Sequence, residues 1–197
     1  MALPYLDRIA VSERSEFERL IRDTASRLSV RADDLMFVMM RESGLNPQAR
    51  NPGSTASGLI QFMSTTAADL GTTIDAIRCM SASQQVEWVE KYYKMQIRST
   101  GKQPRTALDL YLLTLYPIAV GQPDAYVLFY LGSKNHTANR AINTRGNITV
   151  GDVRRWVNAV IPKGYVYTPD TMTTSLWAGG LVGAALCVYL TKKYVLV

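Results

Sequence analysis

The sequence contains very little of the chemistry that metal and disulfide sites need. Its 197 residues include 2 cysteines and 1 histidine. Cys79 and Cys187 form no CxxC pair, so they provide neither a disulfide framework nor a zinc site, and we expect free thiols. The single histidine, His136, excludes every His-dependent triad that does not use it. We therefore expect no metal and no cofactor, and catalysis would have to come from carboxylates, hydroxyls or backbone groups.

Acidic residues are outnumbered by basic ones. The chain has 22 lysines and arginines against 16 acidic residues, a net charge of +6. Such a surface suits a polyanionic partner, for example nucleic acid, anionic lipid or an acidic cell-wall polymer. No run of basic residues interleaved with aromatics is present, so we expect no nucleic-acid partner.

Long hydrophobic runs are absent except near the C-terminus. Residues 171–191 include no charged residue and are followed by Lys192 and Lys193. A helix needs about 20 mostly apolar residues to span a bilayer. Trp177 and Tyr189 lie near the two ends of the run, where interfacial aromatics occur. We predict a C-terminal transmembrane helix, with a glycine-rich buried helix as the alternative.

The predicted organisation is one domain with an anchor. Residues 1–168 form the domain, 169–174 a linker, and 175–197 the anchor and its short basic tail. At the N-terminus, charged residues such as Asp7 and Arg8 leave no room for the apolar core of a signal peptide, so we expect none.

Hydrophobic residues recur at helical spacing along the body, which predicts a mainly α-helical domain without a large sheet. The motif Ser15-x-x-Glu18 predicts a capping box at the start of the first helix. A second helix, apolar nearly all round and therefore central, is predicted to end at Gly44. Further helices are predicted over residues 64–70, 84–98, 107–116 and 149–160.

Glu42 is the most informative residue for chemistry, because it ends the apolar second helix. Partial desolvation raises the pKa of a carboxyl group and keeps it protonated near neutral pH, as a general acid requires. The alternative is a helix-end glutamate that forms an ion pair with Arg41 or Arg50 and has no further role.

A longer pattern surrounds Glu42. Ser43-Gly44 follows directly, then a loop rich in turn-forming residues, then Gly58-Leu59-Ile60-Gln61, in which Gln61 lies 19 positions after Glu42. The stretch RESGLNPQARNPGSTASGLIQFMSTTAADLG closely resembles the soluble lytic transglycosylase (SLT) family. That family has a goose-type lysozyme-like fold, so the resemblance implies a lysozyme-like helical domain.

The resemblance also implies an activity. Glu42 would be the single catalytic acid/base for the β-1,4 bond between N-acetylmuramic acid and N-acetylglucosamine in peptidoglycan, forming a 1,6-anhydro product. Hydrolysis by the same acid is the alternative outcome. The remaining residues of the motif would contact the glycan or hold the glutamate: Ser43, Gly58, Leu59, Ile60 and Gln61.

A third family element is only partly present. The family has Ala-Tyr-Asn near the end of a later helix, and this chain reads Leu115-Tyr116-Pro117. Tyr116 would orient Glu42, whereas the proline changes the glycan contacts on that side. The substitution supports an alternative function, a non-catalytic structural or glycan-binding protein that retains the fold. A further alternative is a membrane-remodelling protein whose C-terminal segment is the active part.

Residues 141–152 resemble a calcium-binding loop that has lost its metal. Gly146 and Asp152 fit positions 6 and 12 of such a loop, but Ala141 and Arg145 replace oxygen ligands. We expect Arg145 to occupy the place of the ion, and we expect His136 to be exposed in a polar loop.

The combination of a wall-cleaving motif, no expected signal peptide and an anchor predicts a phage virion protein. It would be membrane-associated, interact with peptidoglycan strands, the membrane and other virion proteins, and act in the host periplasm or wall. A bacterial inner-membrane enzyme facing the periplasm is the alternative.

Overall fold

The computed structural model describes residues 2–166. In this range the chain forms eight α-helices, three short 3-10 helices and two short strands, which confirms the mainly α prediction. The α-helices are α1 Arg14–Leu28, α2 Ala32–Ser43, α3 Ser64–Asp69, α4 Ile74–Cys79, α5 Ala82–Thr100, α6 Ala107–Leu115, α7 Lys134–Ala138 and α8 Val150–Asn158; the 3-10 helices are Leu6–Arg8, Val11–Glu13 and Pro117–Ala119; the strands are β1 Val127–Phe129 and β2 Ile148–Thr149.

Helix α2 lies at the centre of the domain, as its apolar sequence predicts. Its residues 35–39 are all completely buried, and the helix packs against α1, α6 and α8. Asp33 and Asp34 lie in its first turn, where negative charge is favourable for the helix dipole. Gly44 ends the helix with a positive φ of 64°, a conformation that glycine adopts without a steric penalty.

Helices α1 and α5 form the opposite side of the domain and pack along each other. The predicted capping box at Ser15 is wrong: the N-cap of α1 is Glu13, and no side chain caps it. The 3-10 helix Val11–Glu13 leads straight into α1, so the chain is already helical where a Ser15 cap would need it extended. A capping box is present instead at the start of α5, between Ser81 and Gln84.

The two strands form a short antiparallel pair, with Val127 opposite Thr149 and Phe129 opposite Ile148. Their connection contains α7, where sequence periodicity gave no helix. His136 lies in α7 and is 5% exposed, so the expectation that it is exposed is wrong. Its Nε2 is 2.9 Å from the Gly146 carbonyl oxygen, a contact that closes the connection on itself and removes the ring from solvent.

In the calcium-like loop, the Asp152 carboxylate is present, but the cation that pairs with it is Arg155 and not Arg145, which we expected. Asp152 accepts a hydrogen bond of 2.5 Å from the Arg155 guanidinium and also caps α8 through Thr149. Arg145 is exposed, and only its backbone N–H bonds within the loop, to Asn143. Arg155 lies one helical turn after Asp152, so it reaches this carboxylate with little conformational cost.

The two ends of the described chain meet beside α2. The Tyr5 hydroxyl donates a hydrogen bond to the Val160 carbonyl after α8. The Phe37 ring of α2 packs edge-on against Tyr5 and Tyr165, with ring centroids 6.5 and 5.2 Å away. The N-terminal segment and the end of α8 are therefore parts of one core.

The linker predicted over 169–174 and the hydrophobic helix predicted over 175–197 lie outside the described residues, as does Cys187. Among residues 2–166, no helix has the length and apolar character that crossing a membrane requires. Cys79 is a free, exposed thiol.

Candidate active site

Glu42 lies in the last turn of α2 and faces α6. Glu42 is partly buried, and its Oε1 is 3.4 Å from the hydroxyl oxygen of Thr114, near the end of α6. The two residues are 72 positions apart in sequence. The packing of α2 on α6 therefore gives the carboxyl group its surroundings.

Burial raises the pKa of Glu42 to about 7, against an ordinary value of 4.5. A hydrogen bond from Thr114 and the charge of Arg41 act in the opposite direction, but they do not cancel the desolvation. Close to half of the Glu42 carboxyls therefore carry a proton at neutral pH, as a general acid must. Among the described residues, no second carboxylate affects this pKa.

Trp156 of α8 holds the guanidinium group of Arg41, which therefore does not form an ion pair with Glu42. The guanidinium carbon is 4.0 Å from the centre of the indole ring, and Nη1 donates a 3.0 Å hydrogen bond to the Trp156 carbonyl. The indole N–H in turn donates to the Tyr111 hydroxyl at 3.0 Å. The guanidinium group of Arg41 thus interacts with the ring and the carbonyl of Trp156 rather than with the carboxyl group of Glu42.

Two buried tyrosines lie near the Glu42 charge. Burial raises the pKa of both Tyr93 and Tyr111, and the negative charge of Glu42 raises both further. Tyr93 is completely buried, and within residues 2–166 its hydroxyl has no hydrogen-bond partner. Both phenols therefore stay protonated and can donate near the site.

Ser43 joins the end of α2 to the loop that carries the second half of the motif. Its Oγ is 2.9 Å from the Leu59 carbonyl oxygen and 3.1 Å from that of Met39. Because a hydroxyl has one proton, it donates to one carbonyl at a time. The prediction gave Ser43 a bond to Glu42 or to substrate, whereas the structure gives it a role in holding the loop.

The loop is a tight hairpin between Ser57 and Phe62, which exchange backbone hydrogen bonds of 3.0 and 2.8 Å. Gly58 turns the chain with a φ of 78°, and a Cβ at this position would lie 2.5 Å from the Gln85 side-chain oxygen. Only glycine fits both the backbone conformation and the space. This hairpin brings residues 58–61 close to the end of α2.

Gln85 of α5 holds the hairpin in place from the side of the core. Its side chain is completely buried, accepts a 2.8 Å bond from Leu59 N–H, and donates to the carbonyl oxygens of Pro47 and Ile77. The prediction did not include Gln85. Its signal in the sequence is a glutamine directly before Val86, on the apolar face of an amphipathic helix.

The hydrogen bonds decide which predicted loop residues could meet a glycan. Both backbone groups of Leu59 are used, by Gln85 and Ser43, and the Gly58 carbonyl accepts two bonds from Gln61. Leu59 and Ile60 point their side chains into the core. Among the described residues, the Ile60 backbone groups and the Gln61 side-chain oxygen have no hydrogen-bond partner; Gln61 is partly exposed, whereas Ile60 is 4% exposed.

Tyr116 does not contact Glu42 as expected. It follows the last residue of α6 with φ −159° and ψ 83°, which takes its side chain out of the helical path. Its ring packs edge-on against Phe129 of β1, with centroids 5.5 Å apart. Pro117 lacks the N–H needed to continue the helix, which accounts for this turn. The hydroxyl beside Glu42 belongs to Thr114, which the prediction missed although it is a polar residue in an otherwise apolar helical stretch.

An open groove between α1 and α5 contains another glutamate but not the chemistry of Glu42. Glu90 in this groove bonds to Arg27 and Lys94, and mainly the Arg27 hydrogen bond lowers its pKa to about 2. It is ionised at neutral pH and has no proton to donate. Glu42, in contrast, is a carboxyl group whose pKa is raised to near neutrality.

A carboxyl group that is protonated near neutral pH can serve as the general acid in the cleavage of a glycosidic bond. Residues 19–89 match the family model described as the transglycosylase SLT domain. This match, a little over a third of the chain, supports the SLT family and its peptidoglycan chemistry. It includes Glu42, the hairpin and Gln85, and it ends before α6. No curated protein matches the chain.

Proposed function

We propose that this protein cleaves the β-1,4 bond between N-acetylmuramic acid and N-acetylglucosamine in peptidoglycan, with Glu42 as the only catalytic acid/base. The observation that carries the proposal is the raised pKa of Glu42, at a helix end that Ser43 bonds to the hairpin carrying the unpaired polar groups of Ile60 and Gln61. The match of residues 19–89 to the SLT domain supports the substrate class.

The reaction begins with Glu42 protonated. Its proton moves to the bridging oxygen as the bond from that oxygen to the anomeric carbon breaks, and the acetamido group of the substrate assists from the other face. The Glu42 carboxylate then takes the proton of the muramic C6 hydroxyl, whose oxygen closes the 1,6-anhydro ring. If water replaces this hydroxyl, the same site produces a hydrolysed glycan.

The substrate-binding residues follow from the groups that the fold leaves open. The Ile60 backbone and the Gln61 side chain contact the sugar directly. Gly58, Leu59 and Ser43 act indirectly, because their polar groups hold the hairpin in place. Tyr116 contributes to the rim of the site through its packing on Phe129.

We propose that the enzyme opens the wall locally during phage genome delivery, as a virion protein anchored through residues 175–197. The support is the charge-free run 171–191 followed by Lys192 and Lys193. A bacterial inner-membrane enzyme facing the periplasm is the alternative setting.

A second candidate function, a non-catalytic glycan-binding protein, is favoured by one observation. Tyr116 is turned towards Phe129, so the aromatic hydroxyl that the family places beside the acid is elsewhere. Glycan binding without cleavage would need only the open groups of Ile60 and Gln61.

The deciding experiment treats purified peptidoglycan with the full-length protein and analyses released fragments by mass. We expect fragments one water lighter than hydrolysis products from the wild type and none from Glu42→Gln. Glu87→Gln is the matched control, because Glu87 is exposed and pairs only with Lys91 in α5; it should keep wild-type activity. Binding of peptidoglycan without release by a folded wild type would favour the non-catalytic candidate.

A further inference from the structure

The Thr114 hydroxyl lies between two possible acceptors. Its oxygen is 2.6 Å from the Tyr111 carbonyl oxygen, one turn earlier in α6, and 3.4 Å from Glu42 Oε1. Since a hydroxyl has one proton, it can serve only one acceptor at a time. The shorter distance is ordinary for an O–H···O hydrogen bond and the longer one is outside the usual range. In the resting site the proton is therefore directed to Tyr111.

No other described side chain hydrogen-bonds Glu42. The charged and titratable groups that face it are Arg41 from its own helix, Tyr93 from α5 and Tyr111 from α6. Arg41 is held by Trp156, which is the contribution of α8. Tyr93 and Tyr111 feel the negative charge of Glu42, but neither donates a hydrogen bond to it. Thr114 is thus the neighbour that can respond when the carboxyl group gains a negative charge.

We propose that Thr114 is a positioning residue whose hydroxyl turns from the Tyr111 carbonyl to Glu42 Oε1 as Glu42 gives up its proton. This inference rests on the proposed role of Glu42 as proton donor. As the proton moves to the bridging oxygen, the new carboxylate attracts the hydroxyl, and a shift of under about 1 Å closes the contact to ordinary length. No covalent bond to Thr114 changes.

The consequence is a hydrogen bond that strengthens only as the reaction proceeds. A weak contact in the resting state leaves Glu42 protonated, and a full bond to the carboxylate stabilises the transition state. Interactions of this kind increase kcat rather than lowering KM. Thr114 thereby serves a site in which a single carboxyl group must be first an acid and then a base.

The kinetic test uses three variants of the full-length protein. Thr114→Val keeps the side-chain shape but removes the hydroxyl. Thr114→Ala removes the hydroxyl and also changes the shape, and Thr114→Ser keeps the hydroxyl. Loss of a hydrogen bond to a charged group predicts a fall in kcat of about ten- to a hundredfold for the valine and alanine variants. KM should change little, and the serine variant should stay within about threefold of wild type.

A titration of the Glu42 carboxyl by carbon-13 NMR decides the inference even where no glycan is cleaved. Without the hydroxyl, the carboxylate loses its donor, so the pKa of Glu42 should rise in both Thr114→Val and Thr114→Ala and stay unchanged in Thr114→Ser. If Thr114 only kept water out, alanine would admit water and lower this pKa while valine would not. That pattern, or an unchanged pKa in both variants, overturns the inference; an inactive wild type would instead contradict the proposed function.

Discussion

Glu42 and Glu90 are both helical glutamates close to an arginine, yet the pKa of one is raised to about 7 and that of the other is lowered to about 2. Arg27 bonds directly to Glu90 at 2.6 Å. Arg41 instead stacks on Trp156, so the desolvation of Glu42 is not compensated. A neighbouring cation in the sequence is therefore not enough to predict an ion pair; what decides is which partner the cation reaches first.

This unusual pKa predicts a dependence of stability on pH. The pKa of Glu42 is raised on folding, so between pH 4.5 and about 7 the folded state holds a proton that the unfolded state has released. The free energy of unfolding of the wild type should therefore fall as pH rises through this window. Because glutamine does not titrate, the free energy of unfolding of Glu42→Gln should not fall in this way. This variant should be more stable than the wild type above pH 7, by roughly 1–3 kcal/mol.

Urea unfolding at pH 4 and pH 8 measures this difference. Glu87→Gln is again a suitable control, because Glu87 is exposed and its substitution should give nearly the same change at both pH values. A stability gain for Glu42→Gln that is equal at pH 4 and pH 8 would show that Glu42 ionises normally in the folded protein.

The residues of the site divide into those that the sequence could predict and those that it could not. Glu42, Gly58 and Gln61 belong to one local pattern, and the structure brings them to one hairpin and one helix end. Thr114 is 72 positions from Glu42, and no spacing rule connects them. Tyr116 follows the end of α6 and packs on Phe129, because the turn at Pro117 depends on backbone angles that the family pattern does not specify here.

At the scale of elements, the hairpin depends on a helix that follows it by more than twenty residues. Gln85 bonds to Leu59, Pro47 and Ile77, which belong to the hairpin, the preceding loop and α4. Buried polar groups that lose their partners cost free energy comparable to full desolvation. The position of the candidate glycan-binding loop is therefore set from within the core rather than at the surface.

Substituting Gln85 should test this dependence. Gln85→Leu keeps most of the volume but leaves the Leu59 N–H and the Pro47 carbonyl without partners, while the Ile77 carbonyl keeps its bond from Met80, so we expect a loss of about 2–4 kcal/mol in the free energy of unfolding. Gln48→Leu is the matched control, because Gln48 is exposed and makes a single side-chain bond, to the Met80 carbonyl; it should cost under about 1 kcal/mol. Equal losses in the two variants would contradict the proposed role of Gln85.

The sequence predicted the long helices and the six-residue helix α3, but it missed α4 and α7. Helices α4 and α7 have 6 and 5 residues, too few for a hydrophobic pattern to repeat. The first N-cap was also wrong, since a 3-10 turn before α1 moved the helix start ahead of Ser15. The start of the last predicted helix at residue 149 is confirmed, since Thr149 is the N-cap of α8 and forms a capping box with Asp152.

At the scale of the whole molecule, the domain is closed by contacts between its two described ends. Tyr5 bonds to the carbonyl of Val160 and packs near Phe37 of α2. Tyr5 and Val160 are 155 residues apart in sequence, and the two contacts add to the core rather than to the surface. The N-terminal segment is thus a structural part of the domain, although it lies outside the matched residues 19–89.

Tyr5→Phe should therefore lower the free energy of unfolding by about 1 kcal/mol, because it removes this hydrogen bond and leaves the Val160 carbonyl without its partner. Tyr130→Phe serves as a control, since Tyr130 is 68% exposed and its hydroxyl is satisfied by water. Thermal or urea unfolding of both variants measures the difference. If both behave like wild type, the two ends of the domain are energetically independent.

The contact between Glu42 and Thr114 also has a consequence for the order in which the protein becomes active during its synthesis. A nascent chain that has left the ribosome as far as Glu42 exposes this carboxyl to water, where it titrates as an ordinary glutamate. Helix α6, and with it Thr114, is made 72 residues later. The Glu42 carboxyl thus acquires its raised pKa only once α6 has packed on α2, so a chain truncated before residue 114 would lack the proton donor that the proposed function requires.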